Sequence, residues 1–181
     1  MFLSYVKSRK VWLILIAILF SFNPVNYSQI KSEVNSYGKY SMNFWLGFWN
    51  VTLKDSSGAV STGISRVTEI LDNKAIYENI HLLTGPRKGY SRMSFSVYTP
   101  EKDLWYQTCI DNKGNYSNLE GKLYKDKRIF SGNSTELHNK KFKQRMVFYN
   151  LENKSFEWSR EQSTNKGKTW KVISQISYTR R

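Results

Sequence analysis

What most constrains this chain is its punctuation. From the aromatic run Phe44-Trp45-Leu46-Gly47-Phe48-Trp49 onward, aromatic and β-branched stretches are cut by turn residues roughly every 8 to 12 positions, until Tyr178-Thr179-Arg180-Arg181. Short runs joined by tight turns suit an antiparallel sheet. No stretch after the first 28 residues carries the apolar period of a helix, which argues against a βαβ layout and its nucleotide site. Strands are predicted at Gly47 to Leu53, Ala59 to Leu71, Ala75 to Leu83, Tyr90 to Tyr98, Leu104 to Asp111, Asn115 to Leu123, Arg128 to Ser131, Lys141 to Tyr149, Ser155 to Ser163 and Thr169 to Thr179. A meander of this kind leaves two open edges, and joining the last strand to the first removes both. The expectation is an all-β, antiparallel up-and-down β-barrel of about ten strands.

The first 28 residues read differently. Lys7, Arg9 and Lys10 precede an apolar run from Val11 to Phe22, 12 residues long, and Pro24 follows it. At ~1.5 Å per residue that run is too short to cross a bilayer, but it suits the core of a secretory signal. Residues 1–28 are therefore expected to be a signal peptide cut after Ser28, which makes the protein secreted or periplasmic. An uncleaved leader would instead anchor it to a membrane. Residues 29–42 form a polar lead-in, and the barrel domain is assigned to 43–181. The 28 Lys and Arg against 14 Asp and Glu give a formal charge of +14, and loss of the leader's three bases lowers it to about +11. Such a surplus favours anionic partners: an amphipathic or anionic small ligand, or an anionic membrane surface or glycan. An exported protein seldom meets nucleic acid, so none is expected as a partner, and the chain is read as a monomer.

Candidate chemistry is sparse. Cys109 is alone and cannot form an internal disulfide, and no cluster of His, Cys or acids has metal-ligand spacing, so neither metal nor cofactor is assigned. No nucleophile elbow, phosphate loop or Ser-His-Asp arrangement can be placed, and the reading is non-enzymatic. In a meander, alternate turns share a pole. One pole then gathers Arg87, Lys88, Lys140, Lys141, Lys166 and Lys168 as a basic rim. Period-two alternation sets Gln107 beside Trp105 and Cys109, Arg145 beside Val147 and Tyr149, and Trp158 beside Phe156 and Arg160. Glu78, Gln107 and Arg145 are expected to form an inner polar cluster able to hold a ligand headgroup, with Trp158 as an aromatic wall. A self-satisfied Glu78 to Arg145 pair is the simpler alternative.

Gly47-Phe48-Trp49 on the first strand, with Arg180 ending the last, resembles the signature of the lipocalin and calycin superfamily. Similarity to uncharacterised bacterial secreted proteins of calycin-like type extends through Glu69-Ile70-Leu71-Asp72, Trp105-Tyr106-Gln107-Thr108 and the terminal Tyr178-Thr179-Arg180-Arg181. The resemblance implies that Gly47, Trp49 and Arg180 are structural, with the terminal cation packed across the indole at the closed pole and the basic rim at the mouth. The resemblance supports fold and exported compartment more than activity, and the expected role, non-covalent binding of a small amphipathic or anionic molecule in the barrel, comes from the charge surplus and the inner polar cluster. A haem-binding calycin would need an axial histidine, for which His81 is the sensible candidate. Ser163-Thr164-Asn165-Lys166-Gly167-Lys168-Thr169-Trp170 resembles a single Asp-box hairpin, with Asn165 in place of the aspartate.

Overall fold

A computed structural model describes residues 41–124, 126–132 and 142–181. The predicted signal peptide, and the lead-in apart from Ser41 and Met42, lie outside the described residues. The strands are β1 (Gly47–Asp55), β2 (Val60–Ile70), β3 (Ala75–Leu82), β4 (Ser91–Thr99), β5 (Leu104–Asp111), β6 (Tyr116–Leu123), β7 (Arg128–Gly132), β8 (Lys143–Tyr149), β9 (Ser155–Ser163) and β10 (Lys171–Arg180). Each pairs antiparallel with its sequence neighbours, and β10 pairs with β1, so the ten strands close into an up-and-down barrel. No edge is left for another chain to extend between β10 and β1, which answers the liability of an open meander.

Closure fixes register. Trp49 stands opposite Arg180 on one side and Ser65 on the other. Alternate residues therefore point inward: Trp49, Val51 and Leu53 on β1, Glu78, Ile80 and Leu82 on β3, Phe156 and Trp158 on β9, Ile176 and Tyr178 on β10. A 3-10 turn, Asn43–Trp45, drives Met42 and Trp45 into the pole from which β1 departs, and both are buried. Around them Phe44, Trp49, Phe130, Phe148, Phe156 and Tyr178 pack mostly edge to face, with ring centroids 4.2 to 6.2 Å apart. The Trp49 indole N–H donates to Trp45 O at 2.8 Å, so the large ring is buried without an orphaned donor. This pole is shut.

Arg180 seals it from outside. Its guanidinium lies 4.0 Å from the Trp49 ring centroid and donates to Leu46 O at 2.6 Å and Asn153 O at 3.3 Å. Gly47 has φ +126°, and a Cβ there would collide with the same guanidinium, so glycine serves both the backbone and the clasp. The expected structural trio of Gly47, Trp49 and Arg180 thus meets at one point. At the opposite pole, Ser163 to Trp170 forms a side-chain-braced hairpin: Gly167 N–H donates to Ser163 Oγ at 2.8 Å and Thr169 N–H to Asn165 Oδ1 at 2.9 Å.

Candidate functional site

The half of the interior away from the Trp49 pole, the end that the calycin resemblance takes as the mouth, is polar. Glu78 on β3 is fully buried and takes four donors. Ser65 Oγ (3.1 Å) and Tyr178 OH (2.8 Å) donate to Oε1, and Arg92 Nη2 (3.0 Å) and Ser94 Oγ (3.3 Å) to Oε2. Two donors on each oxygen is the geometry of an acceptor-only carboxylate. Burial and the neighbouring carboxylate push the Tyr178 phenol well above its ordinary value. For Arg92, burial opposes the charge but Glu78 outweighs it, and the guanidinium is held above its ordinary value.

Arg92 is only partly spent on this pair. Its Nε is buried without a partner, and its guanidinium lies 4.8 Å from the Trp158 ring centroid. The Trp158 indole N–H is likewise buried and unpartnered, as is Gln107 Oε1, although Gln107 Nε2 donates to Ser96 Oγ at 3.0 Å. Native interiors leave few such groups, and each costs about 1–3 kcal/mol when nothing answers it. Two residues further along β9, Arg160 follows Trp158 on the inner side, with much of its side chain exposed at the rim, and donates to Gln144 Oε1 at 3.3 Å. Burial, with Arg92 and Arg87 adding repulsion of like sign, lowers its pKa. Tyr90 OH donates to Asp111 Oδ2 at 3.2 Å close by, and burial raises the Tyr90 phenol. This half thus leaves two donors, Arg92 Nε and Trp158 Nε1, and one acceptor, Gln107 Oε1, without partners.

The sequence-predicted residues divide. Glu78, Gln107 and Trp158 point inward, whereas Arg145 does not. Gln144, Met146 and Phe148 take the inner positions of β8, and Arg145 lies on the outer face, 2.6 Å from Glu161 and 4.1 Å from the Trp170 ring centroid. The expected inner cluster is corrected accordingly: the cation beside Glu78 is Arg92, which sequence reasoning missed. On β4 the inward residues are Arg92, Ser94 and Ser96, while Phe95 and Val97 face out at 43% and 41% exposure. That inverts the usual polarity of a half-buried strand. One signal was available in serine at alternate positions, which makes room for a carboxylate and its partners. His81 is exposed on the outer side of β3 and cannot reach the interior as an axial ligand. Arg87, Lys88, Lys166 and Lys168 stand exposed at the open pole with Lys54 and Lys113, and Lys140 and Lys141 lie outside the described residues. Cys109 is buried, and burial raises its thiol pKa, the opposite of what a nucleophile needs.

No family model matches the chain, and no curated protein matches it. Among solved structures it is similar to a redesigned β-barrel, at 10% identity and a TM-score of 0.43 over 78% of this chain and 96% of that one. It is also similar to EF1p2_mFAP2b bound to DFHBI, at 12% identity and a TM-score of 0.34 over 79% and 98%. The assignment as a closed β-barrel rests on the strand pairing itself.

Proposed function

We propose that this chain is an exported, calycin-like, non-enzymatic protein that binds a small amphipathic anion non-covalently inside its barrel. The observation that carries the reading is the pair of buried, unanswered donors, Arg92 Nε and Trp158 Nε1, below the underneutralised Arg160. An anionic headgroup would accept from these donors and relieve the like-charge repulsion, while its apolar portion packs on the Trp158 face. Glu78 keeps Arg92 fixed and charged without exhausting it. The exposed bases of the open pole would draw such a ligand in by long-range attraction, more weakly as salt rises. The clasp of Trp49 by Arg180 supports the calycin-like reading, and the leader, with its basic start and apolar core, supports export or, if it is kept, membrane anchoring.

Native mass spectrometry of the protein purified from its own host tests this. A co-purifying small acid that is lost in Arg160→Gln supports the reading, and bare protein in both samples counts against it. A second reading, favoured by the exposed Lys54, Arg87, Lys88, Lys113, Lys166 and Lys168, is that the basic pole docks on anionic lipid or glycan. Salt-sensitive sedimentation with anionic vesicles, unchanged by Arg160→Gln, would favour it.

A further inference from the structure

The three buried atoms left without partners in the polar half of the interior do not ask for the same chemistry. Arg92 Nε and Trp158 Nε1 are donors, which an anionic headgroup answers, whereas Gln107 Oε1 is an acceptor, which an anion repels. Gln107 is only 2% exposed, and a buried amide with one end unanswered is costly. Its cross-strand neighbours do not relieve it. Leu119 on β6 is apolar, and Ser96 on β4 already accepts from Gln107 Nε2 at 3.0 Å. Ser96 can instead donate to the carbonyl if the amide turns over, but Nε2 is then bare in its place, so one end of the amide stays free in either setting.

That free end lies close to the anion site. Arg92 folds back along β4 until its guanidinium meets Glu78, which stands in register with Ser94, and Gln107 stands in register with Ser96. One inward row, about 7 Å along the strands, separates the two levels. On this wall the inward side chains between them are Ser94, Ser96 and Cys109, all small. A hydroxyl both donates and accepts, so it answers the Gln107 amide either way up. A plain fatty acid supplies the anionic head and leaves Gln107 as it was.

Resting on the anion reading above, we propose that the ligand is a hydroxylated amphipathic acid, whose carboxylate meets Arg92 Nε and Trp158 Nε1 and whose hydroxyl, a few carbons along the chain, meets Gln107. The test compares 3-hydroxydodecanoate and 6-hydroxydodecanoate with dodecanoate on the full chain by calorimetry, with the Gln107 side-chain amide followed by NMR. At least one of the two is expected to bind about fivefold to tenfold more tightly than dodecanoate and to shift that amide, which dodecanoate leaves unshifted. In Gln107→Met, which keeps the length of the side chain without its amide, the preference should vanish while dodecanoate binds as before. The ligand comparison on the unaltered chain stands whether or not that variant folds. Binding of neither dodecanoate nor a hydroxy acid would remove the anion site, and this proposal with it. Equal affinity for dodecanoate and both hydroxy acids would overturn the hydroxyl assignment alone. So would a stronger preference for 12-hydroxydodecanoate, whose hydroxyl lies at the far end of the chain, or a folded Gln107→Met that keeps the preference.

Discussion

At the Trp49 pole, rings from the lead-in turn and from β1, β7, β8, β9 and β10 fill the barrel; the Trp49 indole donor has an acceptor, and the Trp45 indole N–H is a buried donor left without one there among the described residues. At the other pole β2, β4, β5, β9 and β10 turn Ser61, Arg92, Gln107, Ser163 and Ser174 inward, and Arg92 Nε, Trp158 Nε1 and Gln107 Oε1 are left unanswered. Packing at the first pole supplies stability that is insensitive to solutes. At the second, polar groups are held in place by a fixed carboxylate and left partly free, the arrangement on which the proposed anion binding rests. Glu78 marks the boundary, since Tyr178 reaches it from the aromatic side and Arg92 from the polar side.

The comparison breaks most sharply at that boundary. Glu78→Met should destabilise by about 3–5 kcal/mol in urea unfolding, because Arg92 is left charged and buried without its partner. Adding Arg92→Met should restore much of the loss, and a single-variant cost under about 1 kcal/mol would deny the pair its role. Phe156→Ala, within the aromatic pole, should cost about 3–4 kcal/mol by the same assay while leaving interior ligand affinity unchanged in a folded protein. Arg180→Gln should cost about 1 kcal/mol through loss of the Trp49 contact, read as a lower unfolding midpoint. Arg145→Ala should cost about 0.5–1 kcal/mol and leave ligand binding intact, since its partners Glu161 and Trp170 are on the outer wall.

The smallest effect is in the open-pole hairpins. Asp55 is lowered, first by the Ser57 hydroxyl, and Asp111 is lowered as donors from Asn115 and Lys113 outweigh burial. Each holds its hairpin fully above the unfolded carboxyl value near 4, and that contribution fades as pH falls through the lower folded value. Carboxyl chemical shifts should therefore titrate below ordinary aspartate at both positions.

Strand existence was legible because turn chemistry punctuates this chain so regularly. β5 and β9 begin and end where the residues predicted, and the remaining strands differ by a residue or two at their ends. Facing was less legible. In Lys143–Tyr149, Met146 and Phe148 fall on one face and Val147 and Tyr149 on the other, so the pattern alone cannot choose. Pairing with β9, where Phe148 meets Trp158, decides it, and Arg145 goes outward. Arg92 was hidden for the opposite reason. Met93, Phe95 and Val97 look like the core face of β4, yet the buried Glu78 needs Arg92 and Ser94 more than the core needs those three side chains. A lone buried acid reorganised its neighbouring strand, and pairwise placement is information a single strand does not carry.

The central claim, that the open half of the interior is built for an anion, is tested most directly by titrating dodecanoate and dodecanol against the protein and following tryptophan fluorescence. The account predicts a saturable change with dodecanoate, weakened about tenfold both by Arg160→Gln and by exchanging the carboxylate for the alcohol. Equal affinity for acid and alcohol, or a folded protein whose tryptophans respond to neither, would contradict it.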